Sequence, residues 1–73
     1  MIRMDVVGRI ASGDQQGRFV KILPPGHSQT SGYLILINDQ KDLQGDGGDY
    51  WVETREDLDG FFEEANWLVD WPD

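Results

Sequence analysis

The sequence predicts a mainly β (α+β) fold: a small five-stranded antiparallel curled sheet or partly open barrel, with one short helix at about 55–65 before the last strand. Three observations predict it. Short apolar segments alternating at period two recur along the chain, as half-buried strands require. Turns rich in Gly, Asp and Pro separate them. One stripe alone, Leu58, Phe61, Phe62 and Ala65, falls at the i, i+3, i+4, i+7 spacing of a helix.

The first strand is read from Ile2, with Ile2, Met4, Val6 and Ile10 on one face and Arg3, Asp5, Val7 and Arg9 on the other. Ser12-Gly13-Asp14-Gln15-Gln16-Gly17 turns the chain, because Gly and Asp accept the positive φ angles that a reversal needs. Arg18 to Leu23 alternates again and completes a hairpin. Pro24-Pro25-Gly26 ends it, since proline cannot donate to a ladder, and the polar stretch from His27 to Gly32 is a loop.

Tyr33-Leu34-Ile35-Leu36-Ile37 is apolar at every position, which predicts a core strand covered on both faces. Asn38 to Asp49 holds three glycines, four aspartates and Leu43 as its single apolar residue, so a solvated, mobile loop is expected there. A strand resumes over Tyr50 to Glu53. The helix follows from Arg55 to Ala65, with Thr54 and Asp57 resembling a capping box and Asn66 as its stop signal. Gly60 inside it costs about 1 kcal/mol relative to alanine, so packing of the Phe pair must hold the helix. Trp67, Val69 and Trp71 alternate with Leu68 and Asp70 as the last strand, closed by Pro72. The short connections favour antiparallel neighbours.

Seventy-three residues make a single domain, 1–73, with one modest core and little room for a deep cleft. Leu, Ile, Val and Phe supply 19 of them, enough to fold despite a net charge of −8. With no cysteine there is no disulfide, no thiolate zinc site and no thiol nucleophile, which fits a reducing, cytoplasmic setting. Arg3, Asp5 and Gly8 interrupt the N-terminal apolar residues, and no stretch approaches membrane-spanning length. Neither a signal peptide nor membrane insertion is expected.

The charge is lopsided. Residues 1–37 carry Arg3, Arg9, Arg18 and Lys21 against Asp5 and Asp14, a net +2. Residues 38–73 carry Lys41 and Arg55 against twelve carboxylates, a net −10. Such a half repels phosphate backbones and anionic lipid headgroups and attracts a basic protein over a Debye length of ~8 Å. Nucleic-acid and membrane partners are therefore not expected.

Sites for chemistry are sparse. His27 beside Ser28 lacks any spacing that implies an orienting third group, and a solvated loop histidine is the plainer reading. Asp39, Asp42, Asp46 and Asp49 with Gly45, Gly47 and Gly48 resemble a calcium loop in composition, but the spacing is not that of an EF-hand. Neither Glu63-Glu64 nor Asp57-Asp59 comes with a cleft to separate two pKa values for acid and base work. No cofactor, metal or catalytic residue is predicted. The two glutamates do lie near a helix C-terminus, where the macrodipole disfavours negative charge by a few tenths of a kcal/mol. Either a cation compensates or the charge serves recognition.

Six of the eight aromatics fall between Tyr50 and Trp71, and Trp51, Trp67 and Trp71 cannot easily all be inside so small a domain. Exposed Trp beside carboxylates has the make-up of a protein interface. The predicted binding face comprises Asp46, Asp49, Trp51, Glu53, Glu63, Glu64, Trp67, Asp70 and Trp71.

Two resemblances bear on this. Val7-Gly8-Arg9-Ile10-Ala11-Ser12-Gly13-Asp14-Gln15-Gln16-Gly17-Arg18-Phe19-Val20 resembles the KOW motif, an SH3-like hairpin of ribosomal and transcription-elongation proteins, over about a fifth of the chain. It implies an SH3-like barrel, while the acidic remainder departs from a nucleic-acid-binding version. In size, acidity, the Tyr50-Trp51-Val52-Glu53 strand and the stretch from Glu56 to Trp71, the chain is similar to small acidic bacterial immunity proteins. That resemblance implies binding and blocking of a toxin, often a basic nuclease.

The leading expectation is thus a noncatalytic module, monomeric or a weak homodimer, that docks a basic protein through its acidic, Trp-bearing C-terminal half. A second class is a small accessory domain that self-associates, its acidity serving solubility alone. A third, a metal or small-ligand binder using the aspartate loop, predicts a calcium-dependent melting shift.

Overall fold

The computed structural model describes residues 2–26 and 31–72. The His27-Ser28 pair lies outside the described residues. Five antiparallel strands form one unclosed sheet, with a single helix before the last strand. The strands are β1 (Val7–Ile10), β2 (Phe19–Leu23), β3 (Tyr33–Asn38), β4 (Gly47–Val52) and β5 (Val69–Asp70), and the helix is α1 (Arg55–Ala65). Their order across the sheet is β4-β3-β2-β1-β5. The first four strands form a meander, so each pairs with its neighbour in sequence. Helix α1 then returns the chain from the β4 edge to the β1 edge, where β5 joins with Arg9 opposite Asp70 and Ile10 opposite Val69.

Alternation assigns the faces. Ile10, Val20, Ile22, Ile35 and Ile37 line the inner face, and Leu58 and Phe62 of α1 close over them together with Trp67. Each side chain so buried contributes roughly 1.5–3 kcal/mol. The helix spans the predicted residues because its ends are marked in sequence. Thr54 adopts an extended conformation and its Oγ1 accepts from the Asp57 N–H at 3.0 Å. Asn66 takes the left-handed conformation, and its N–H donates to Glu63 O at 3.1 Å. Ser12 ties this end to the first turn: its hydroxyl donates to Asn66 O at 2.7 Å and accepts from the Leu68 N–H at 2.9 Å.

Three expectations are corrected. β1 begins at Val7, not Ile2, because Asp5 lies at φ 61° and breaks the run, although Ile2 and Met4 still pack on the core. β3 is fully covered on one face and partly on the other: Ile35 and Ile37 are buried, while Leu34 and Leu36 on the outer face are half-buried. In place of a mobile loop from Asn38 to Asp49, the chain makes a pinned connection and an early start to β4 at Gly47.

The pin is buried Asn38. Its Nδ2 donates to Gly45 O at 2.9 Å, and its Oδ1 accepts from the N–H groups of Gln40 at 2.9 Å and Gly45 at 3.0 Å. Gly47 is required there. A Cβ on it would stand 1.9 Å from the Ile37 carbonyl oxygen, so no other residue permits β4 to pair in this register.

Candidate protein-binding face

β4 and α1 place most of the predicted binding residues. On β4, Asp49 and Trp51 point to the outer face, opposite Leu36 and Leu34. Trp51 is 50 % exposed, yet it is held in place. Its indole N–H donates to Ser31 O at 2.7 Å, and the ring lies over Gly32, where a Cβ would come within 2.6 Å of Nε1. Tyr50 points to the inner face at the end of the core, 46 % exposed, with its ring centroid 5.2 Å from that of Phe61. This ring pair joins β4 to α1, and neither residue was singled out from sequence as part of a surface.

Carboxylates flank β4 and crowd the end of α1. Asp46 precedes β4, Glu53 follows it, and Glu63 and Glu64 sit in the last turn of α1; all four are exposed. Among the described residues the ion pairs are Lys21–Asp5 at 3.6 Å and Arg55–Asp59 at 3.2 Å, so none of these four carboxylates, nor Asp49, is paired. The last turn of α1 has no basic residue. Glu63 and Glu64 therefore stand uncompensated at the negative end of the helix, a placement that costs stability.

The exposed side of α1 forms a broad, shallow concavity of about 820 Å³ lined by Glu56, Asp57, Asp59, Gly60, Phe61, Glu63 and Glu64. Gly60 opens it. A Cβ at this position meets nothing within 4 Å, so the helix glycine serves no packing need. Gly60→Ala is expected to stabilise the fold by about 0.5–1 kcal/mol and raise Tm by roughly 4–8 °C at most. A lower Tm in thermal denaturation would mean that the notch is filled by the fold itself.

The remaining predicted residues divide. Trp67 is a correction: only 7 % of it is exposed, and it packs edge-to-face on Phe61 and Phe62 at 5.4 and 5.3 Å. It belongs to the core and cannot anchor a partner. Leu68, its neighbour in the alternation, is the residue turned outward, at 71 % exposure. Trp71 is half-buried, lying over Gly8 and stacked on Phe62 at 6.5 Å. It and exposed Asp70 are at the β5 edge, across the whole sheet from β4. The structure thus places Asp49 and Trp51 on the outer face of β4, Asp46 and Glu53 at its two ends, and Glu63 and Glu64 on α1 at the other side of the sheet, and sets Asp70 and Trp71 apart at the β5 edge.

Among the described residues no three carboxylate or histidine side chains converge as metal ligands. The aspartate loop bonds instead to its own backbone, with Asp42 Oδ1 accepting from the Gln44 N–H at 3.0 Å. No helix among the described residues is long and apolar enough to cross a membrane. In comparisons with known proteins, no family model, no curated protein and no solved structure matches the chain.

Proposed function

We propose that this protein is a noncatalytic binding module that docks a basic protein partner through the β4–α1 face, in the manner of an inhibitor or immunity protein. In this reading it acts in the cytoplasm, with the curled sheet as an SH3-like scaffold. The observation that carries it is the pair Glu63 and Glu64: exposed, without an ion pair among the described residues, and at the helix end where negative charge is disfavoured. A purely solubilising charge has no reason to sit where it destabilises. Tyr50 and half-buried Phe61 on the α1 side of the sheet, and Trp51 on the outer side, supply the aromatic area that interfaces use as anchors.

The test is a titration of the purified protein with a panel of small basic nucleases and size-matched acidic proteins, followed by Trp fluorescence at low and moderate salt. A saturable complex with a basic member, weakened as salt rises, is the expected result. Failure of every basic protein to bind at low salt would sink the reading.

A further inference from the structure

The two edges of the sheet are built differently. β5 is two residues long, is followed by Pro72, and has the Pro72 carbonyl taken by the Arg3 guanidinium. Brevity and proline are ordinary ways of blunting an edge. β4 is six residues long, exposed from Gly47 to Trp51, and contains no proline or lysine.

The register shows which backbone groups face outward. The Asp39 N–H donates to Asp46 O at 3.0 Å, and bonded pairs alternate along an antiparallel ladder. Gly48, Tyr50 and Val52 therefore turn their backbone groups to β3, and Gly47, Asp49 and Trp51 present theirs to the open edge. Among the described residues nothing bonds to them.

We infer that the open edge of β4 is where the partner docks, by adding a basic, extended segment as a sixth strand. This rests on the reading that the partner is basic, and it specifies the mode of binding. An added strand lies between the two parts of the face that β4 separates. On the outer side it meets Asp49 and Trp51; on the inner side it meets Tyr50, Phe61 and the acidic side of α1.

Charge selects the occupant. The edge is guarded by Asp46, Asp49 and Glu53, none of which is ion-paired among the described residues, and the whole chain carries −8. A second copy would bring its own β4 carboxylates against these, and like charges across a strand pair are destabilising. A lysine- or arginine-bearing strand meets attraction at the same positions. Main-chain bonds then supply affinity, and the alternate side chains supply selectivity.

The experiment uses the whole chain, labelled for NMR, and a synthetic peptide of alternating lysine and valine, about eight residues long so as to span β4. Expected is slowed amide exchange at Asp49 and Trp51 on peptide addition, abolished when alternate peptide nitrogens are methylated. Asp49→Pro removes an outward N–H without touching the β3 ladder, and should weaken binding at least about tenfold, where Asp49→Asn weakens it only a few-fold. The methylated peptide keeps the test decisive if the proline variant does not fold. Salt-sensitive binding that leaves the Asp49 and Trp51 amides exchanging as before would overturn strand addition while leaving a basic partner in place. Protection of those amides by protein concentration alone would assign the edge to a second copy. No binding of any basic peptide or protein at low salt would remove both this inference and the function it rests on.

Discussion

Phe62→Ala is expected to remove a large share of the stability of the domain. Phe62 is buried against the sheet and is the hub of the aromatic cluster, with Phe61, Trp67 and Trp71 rings at 6.5, 5.3 and 6.5 Å. Truncating such a ring costs about 3–5 kcal/mol, through lost transfer energy and the cavity left behind. A domain of this size holds only roughly 4–11 kcal/mol in all. Alanine here also frees α1 from the core, and α1 is too short to persist unaided. Urea denaturation monitored by Trp fluorescence should show the midpoint falling steeply, and Phe61→Ala, at a half-buried position, falling less. A loss below about 1 kcal/mol would mean that Leu58 alone anchors the helix.

Reversing the charge of Glu63 and Glu64 together to lysine is expected to move stability and binding in opposite directions. Lysine at the end of a helix interacts favourably with the macrodipole, so each exchange should add about 0.3–1 kcal/mol at low salt. The same change replaces two attractive charges by two repulsive ones on the proposed face. Affinity for a basic partner should drop by about tenfold or more at low salt, with the gap narrowing as salt is raised. A residue conserving only solubility gives no such pairing of effects. Unchanged affinity in the double variant would remove α1 from the interface, whatever happens to Tm.

Much of the fold was legible because its signals are local. The stripe of Leu58, Phe61, Phe62 and Ala65, bracketed by Thr54 and Asn66, marks α1 to the residue, since a cap and a period are properties of neighbours in sequence. The turn from Ser12 to Gly17 is legible for the same reason, with Gly13 and Gly17 at φ 87° and 94°.

What stayed hidden depends on distant contacts. Gly47-Gly48-Asp49 reads as loop because its own preferences oppose a strand. Its pairing is imposed by β3 and by the side chain of Asn38, which no local window contains. The Trp residues could not be sorted either. Trp67 and Trp71 share one face of the alternation, and only the return of the chain to β1, with Gly8 leaving room for the second ring, decides how deep each lies.

For the site, charge placement was readable and its grouping was not. Sequence put Asp70 and Trp71 in one face with Asp49 and Trp51, but the strand order carries them to opposite edges. The exposure of Tyr50 and its contact with Phe61 were not read from the sequence. Gly60 was read as a cost to the helix, and only the structure shows that nothing packs against it.

The contact between the Arg3 guanidinium and the Pro72 carbonyl brings the head and tail of the described chain to the same rim of the sheet. Arg3 and Pro72 therefore both reach the rim remote from β4. A crosslink between positions 3 and 72 would tie this rim together and leave the β4 side open to solution.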